Sequence, residues 1–215
     1  MEKVLIFMYK GFILMMHPDE FYPKLKAIMA LPPQERHTQV SDLHTQAMTR
    51  YVNRLKTMTE AEALAQVTVG DDHRTVLQIV GHIAEWERFA ILSATDILIG
   101  LDRPRLMKSL DGYIALDGST PTFSTIDEFN AYFADQQKSW SWEKMRSFAI
   151  ETTTTIHQIF TNPALLTAER LERTVNGRKW LGTGEVISDI AVGWALWLIV
   201  LEHIATEHII ELGLA

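Results

Sequence analysis

The stretch LEHIATEHIIEL, residues 201–212, continues without a break from IAVGWALWLIVL, residues 190–201, and the two read as one helix. The apolar run spans only 12 residues between Asp189 and Glu202, whereas a membrane span needs about 20. It therefore predicts a core helix buried by protein. Such a helix has no ordinary use for two histidines and three glutamates in its last turns. At about 100° per residue, His203 shares a stripe with Val192, Leu196, Ile199 and Glu207. His208 falls on a second stripe, with Trp194, Trp197, Leu201 and Ile204. The five-residue step between the histidines is about 140° around a regular helix. Aiming both at one ion therefore requires a bulge or a locally wound turn. His203 and Glu207, at i and i+4, approach a common point from adjacent turns of a regular helix. Periodicity leaves open which stripe faces the interior, because residues 190–201 are apolar on every side.

Helical period extends over most of the chain, with Pro and Gly collected at the joints. A first long helix is expected from about Glu35 to Met58, with Val40, Leu43, Ala47, Tyr51 and Leu55 on its apolar face, followed by a short piece in TEAEALAQV. Asp72 or Thr75 opens a second helix that stops at Gly100. Leu101 to Phe123 reads as a long irregular connection. Ser124 or Thr125 caps a third helix, with Asp127 and Glu128 in its first turn, running to about Phe160. A short piece in PALLTAERL and a hairpin around Asn176 and Gly177 come next. A fourth helix runs from Thr183 or Gly184 to Gly213. The predicted class is all-α, a four-helix bundle with a long crossover between the second and third helices and short accessory helices.

On the second helix, His82 lies on the face of Ile79, Trp86 and Phe89 and points inward. Glu85 is about 60° to one side, and Glu87 occupies a different flank, where it is expected to meet water. His44, on the face of Met48, Tyr51 and Leu55, reads as a core histidine, and His157 as structural. The tryptophans read as packing, and Asp71, Asp72 and His73 as capping residues of a turn.

A chain of 215 residues, 47% of them hydrophobic, suffices for one sizeable core. Residues 17–215 are expected to form a single domain. MEKVLIFMYKGFILMM, residues 1–16, reads as an apolar arm or an upstream start. Lys10 and Gly11 interrupt it and no small-residue cleavage site follows, which argues against a signal peptide and against stable membrane insertion. The net charge of −7, from 20 basic and 27 acidic residues, argues against a nucleic-acid surface. The absence of cysteine removes disulfides, thiolate ligands and a cysteine nucleophile, and agrees with a cytoplasmic protein. No phosphate-binding glycine loop, GxSxG elbow or dinucleotide fingerprint is present.

GHIAEWERF, residues 81–89, and TEHIIELG, residues 206–213, resemble the DinB-like superfamily of four-helix bundles. The resemblance covers about Glu35 to Gly213 and extends to the order of features. It implies a divalent metal, zinc or nickel, held by one histidine of the second helix and two of the last helix spaced one turn apart. It also implies a metal-dependent enzyme, either a thiol-dependent transferase or isomerase or a hydrolase, acting on a small electrophilic molecule in a detoxification role. Carried over, His82 matches the first ligand and His208 the last. The remaining ligand position falls on Ile204, which cannot ligate, with His203 one place away. Three outcomes stay open: His82, His203 and His208 as ligands, His82 with His203 and Glu207, or a bundle that has lost the metal. In the first two, Glu85 or Glu207 is a candidate supporting partner or base. The metal-free alternative is a small-molecule-binding or dimeric interaction module, and a homodimer is expected in either case.

Overall fold

The structure, a computed structural model, describes residues 18–67, 73–101, 104–108, 110, 112–175, 178–179, 186–187 and 190–214. The arm of residues 1–16, the acids Asp71 and Asp72, and Asn176, Gly177, Thr183 and Gly184 lie outside the described residues. Helix α1, Pro18–Met29, has no counterpart among the sequence expectations and buries Leu25 and Ile28. Helix α2, Pro33–Thr57, opens with proline at its first position, where the missing N–H has no helical acceptor anyway. Two capping boxes set the next starts. Thr59 and Glu62 cap α3, Glu60–Leu64, while Thr75 and Gln78 cap α4, Val76–Leu98.

The crossover carries one turn of helix, α5, Arg105–Lys108. It is packed rather than loose, because Tyr113 sits between Phe89 and Phe129 at ring separations of 5.5 and 4.9 Å. The expected third helix is two helices, α6, Ile126–Gln137, and α7, Trp142–Thr161. Thr125 caps the first as expected. Ser141 starts the second by accepting from the Lys144 N–H, and the Trp142 indole beside it donates to the Met58 carbonyl at 3.2 Å. Helix α8 follows at Ala168–Glu172.

The fourth long helix starts later than expected. Strand β1, Thr174–Val175, pairs antiparallel with β4, Ile190–Ala191, and β2, Arg178–Lys179, with β3, Val186–Ile187. Each pair is a separate two-stranded sheet. The hairpin expected around Asn176 and Gly177 falls outside the described residues. Helix α9, Val192–Glu202, begins where β4 ends.

Helices α2, α4, α7 and α9 form the bundle, with α4 between α7 and α9 and with α2 against α7 and the end of the last helix. Two glycines permit close approaches. A Cβ on Gly81 would stand 2.3 Å from Gln137 Oε1, and one on Gly193 2.6 Å from the Leu171 Cα. Helix α9 is buried almost all round, with Trp194 and Trp197 stacked at 5.6 Å. Among the described residues, no helix is long and apolar enough to cross a membrane.

Candidate metal centre

After Glu202 the last helix changes pitch. Residues His203–Glu207 form a π turn, the locally wound turn that the five-residue histidine step requires. Side chains take up carbonyls around it. Thr206 donates its hydroxyl to the Glu202 carbonyl at 2.7 Å, a back-bond that competes with the regular ladder. From α2, Arg50 donates to the Ala205 carbonyl at 3.1 Å, and Arg54, one turn on, to the Leu212 carbonyl at 2.8 Å. The chain then closes on Gly213, at φ 65°, with the Leu214 N–H bonded to the Ile209 carbonyl and the Gly213 N–H to that of Ile210. That pair of bonds is a Schellman cap. A tethered cap downstream and an arginine clamp across the turn hold the wound segment in place.

The turn brings His203 and His208 onto one side, facing His82 of α4. Ring centroids are 5.0 Å apart for His82 and His203, 5.3 Å for His82 and His208, and 5.2 Å for His203 and His208. One nitrogen from each of the three lies within 4.8 Å of the other two. The Nε2 atoms of His82 and His203 are 3.2 Å apart. His203 and His208 are 7% and 5% exposed, so the cluster is screened from water on the side of the last helix. Burial, reinforced by His82, His208 and Arg74, holds the His203 imidazole well below its usual range. His203 is therefore neutral at physiological pH, with a lone pair available. The Nε2 of His208 is buried without a hydrogen-bond partner, while its Nδ1 faces Glu211 Oε1 at 3.4 Å. A carboxylate on the far ring nitrogen is the usual way an imidazole is oriented to ligate through the other.

Glu207 Oε2 stands 3.5 Å from His203 Nε2, as the i, i+4 spacing predicts, and its Oε1 3.9 Å from His208 Nε2. Ile204, at the position where the resemblance places a ligand, is fully buried in the core. Glu85 is not at the cluster. Its Oε2 accepts from Arg88 at 2.8 Å and Tyr113 at 2.9 Å, and its Oε1 from Gln137 at 3.1 Å. Its oxygens are engaged by its own helix, the crossover and α6. Glu87, expected to meet water, is 1% exposed and accepts from Thr152 at 3.3 Å and Thr153 at 2.5 Å. Burial pushes its carboxyl up to about 8.

Periodicity missed the supporting residues Arg50, Arg54 and Glu211. The i, i+4 arginine pair and the i, i+3 spacing of His208 and Glu211 were the available signals. Tyr22 on α1 donates to Glu202 next to the cluster, and burial raises the Glu202 carboxyl to about 7. That contact was not legible, because no helix was expected there. Among the described residues the tryptophans pack in or against the core, as expected. Trp86, Trp142, Trp194 and Trp197 each donate the indole N–H to a protein acceptor.

No protein-family model and no curated protein matches the sequence. Among solved structures, the fold is similar to the crystal structure of the mycothiol-dependent maleylpyruvate isomerase, with a TM-score of 0.50 at 14% identity over 82% of this chain and 61% of that one. A histidine-to-alanine mutant of that isomerase matches with a TM-score of 0.50 at 11% identity, over 83% of this chain and 63% of that one. The chain thus spans about three fifths of the length of the structures it matches. What the likeness shows is the fold, an all-α bundle of the expected class.

Proposed function

We propose that His82, His203 and His208 hold a divalent metal ion, zinc or nickel, in an enzyme of the thiol-dependent isomerase or transferase kind acting on a small electrophilic molecule. The observation that carries this reading is the convergence of three histidine nitrogens, one of them buried and without a hydrogen-bond partner. An all-imidazole donor set suits borderline ions such as zinc and nickel and leaves a coordination position for a substrate atom. A metal bound there would polarise a substrate oxygen or lower the pKa of a bound thiol. The thiol reading draws support from the fold neighbours, which are mycothiol-dependent by name.

The chain's own groups have definable roles. Glu211 orients His208 through Nδ1, and the neutral state of His203 keeps its nitrogen free to ligate. Trp86 and Phe133, with ring centroids 6.3 and 5.9 Å from that of His82, wall the cluster with apolar surface. Arg74 acts electrostatically on His203, Glu207 and Glu211, a field that favours an anionic substrate.

Metal analysis of protein purified without a histidine tag, after addition of zinc and nickel, tests the reading. One equivalent in the wild type and its loss in His82→Ala, His203→Ala and His208→Ala are expected. Substoichiometric metal in the wild type would overturn it and leave a metal-free bundle. An isomerase or transferase assay with and without a low-molecular-weight thiol then tests the reaction class.

A further inference from the structure

Of the three glutamates in residues 201–212, two are already engaged. Glu202 accepts from Tyr22, and Glu211 faces the far nitrogen of His208. Glu207 is different, since its two oxygens face two of the candidate ligand atoms, at 3.5 Å from His203 Nε2 and 3.9 Å from His208 Nε2. Both separations exceed the roughly 2.7–3.2 Å of an N–H···O hydrogen bond, so the carboxylate is beside these nitrogens without being bonded to them. The shorter of the two is close to another geometry. Zinc–ligand bonds of about 2.0–2.1 Å in a tetrahedron give ligand-to-ligand edges of about 3.3–3.4 Å. The His82–His203 edge of 3.2 Å and the separation of 3.5 Å from His203 Nε2 to Glu207 Oε2 bracket that value, while the 3.9 Å to His208 Nε2 is measured from the other oxygen, so the carboxylate stands beside the three converging nitrogens and reaches the fourth vertex by turning on its own side chain.

We infer that Glu207 is the fourth ligand of the centre, so that its resting state is closed by its own helix and opens when a substrate anion displaces the carboxylate. The inference rests on the three-histidine reading above. Charge supports it, because three neutral imidazoles leave a buried dication uncompensated and one carboxylate halves the excess. Exposure supports it as well. The Glu207 side chain is 28% exposed against 9% and 6% for those of His203 and His208, so it is the ligand that can swing towards solvent while the histidines stay. A soft or anionic donor on the substrate, a thiolate or a carboxylate, would then enter from the side that Glu207 vacates.

Cobalt(II) and zinc titrations of the full chain provide the test, with Glu207→Gln and Glu211→Gln compared as folded proteins. The wild type should bind one cobalt with the intense visible bands of a four-coordinate ion. In Glu207→Gln those bands should shift and weaken, and zinc affinity, measured against a competing chelator, should fall by more than about 100-fold. Glu211→Gln should keep the wild-type spectrum and lose about 10–100-fold, the range for a group that only orients a ligand. If Glu207→Gln keeps the wild-type spectrum and loses no more than Glu211→Gln, Glu207 lies outside the coordination sphere and the inference is overturned while the three-histidine centre stands. If the wild type binds neither ion, the three-histidine reading falls and takes this one with it. Should Glu207→Gln not fold, Glu207→Asp, which withdraws the carboxylate by one methylene, substitutes for it, and an unchanged cobalt spectrum there overturns the inference equally.

Discussion

The bundle holds buried or half-buried histidines in two places, and they behave differently although ring contacts as short as 5.1 and 5.0 Å occur in both. In the first group His37 and His44 border Trp197 and His157 meets His44, with 5.1 Å between the His44 and His157 rings and 5.1 Å between those of His37 and Trp197. His82, His203 and His208 are 5.0–5.3 Å apart. Ring proximity therefore does not separate a packing cluster from a candidate ligand set. Nitrogen direction does. In the first group His44 Nδ1 accepts the Trp197 indole N–H at 2.9 Å, His157 Nε2 lies 2.9 Å from Thr45 Oγ1, and His37 Nδ1 3.4 Å from Ser41 Oγ. His37 and His44 each keep a buried Nε2 without a partner, yet among the described residues these atoms join no converging set of donors. An orphaned nitrogen becomes suggestive only when others point at the same place.

The contrast is sharpest in metal affinity, where the largest effect is expected. Zinc binding should weaken by about 100-fold or more in His208→Ala, and His44→Ala should retain the wild-type affinity. Equal losses in a chelator competition would erase the distinction between the groups. Next comes Trp197→Ala, which removes a fully buried indole stacked on Trp194 and Phe160 and should cost about 3–5 kcal/mol in thermal unfolding. Zinc stoichiometry per folded molecule should not change, and a metal-free but folded variant would show that the two regions are coupled. Gly193→Ala, whose Cβ would meet the Leu171 backbone at 2.6 Å, should lower stability by about 1–3 kcal/mol. An unchanged melting temperature would mean that α8 yields easily.

The smallest effect concerns Glu87, which packs beside Tyr51 and the α7 threonines. Its folded-state carboxyl is raised from 4.5 to about 8 by burial, so the folded chain holds a proton that the unfolded chain releases. The associated stability is full below about pH 4.5 and is lost as pH rises to about 8. Glu87→Gln should flatten that part of the profile in melting temperature against pH. A wild-type slope that survives the substitution would assign the titration to another group.

Much of this was legible in the chain, and what was not has a common cause. Threonine caps at Thr75 and Thr125, the inward direction of His82 and the end of the last helix at Gly213 are local properties, and each agrees with the structure. The failures involve partners distant in sequence. A single-helix wheel places Glu87 in water because it cannot see Thr152 and Thr153 arriving from α7. Glu85 is drawn from the histidines by Tyr113 of the crossover and Gln137 of α6. The last helix starts late, at Val192, because Ile190–Ala191 pairs with Thr174–Val175. At the histidines, the wheel stated the requirement for a wound turn but could not supply Arg50, which stabilises it from another helix.

The π turn also explains the misfit at Ile204. A π turn is a regular helix carrying one inserted residue, so His203 and His208 are a one-turn pair whose spacing has been lengthened from four to five. The extra residue shifts the phase of everything beyond it, which is why Leu212 still reaches the core and Gly213 still meets its cap. Deleting Ala205 alone would restore the ordinary spacing between the histidines. Restoring it would also re-index the C-terminal cap against Arg54, so the length of this helix is fixed jointly by its histidine pair and its terminus.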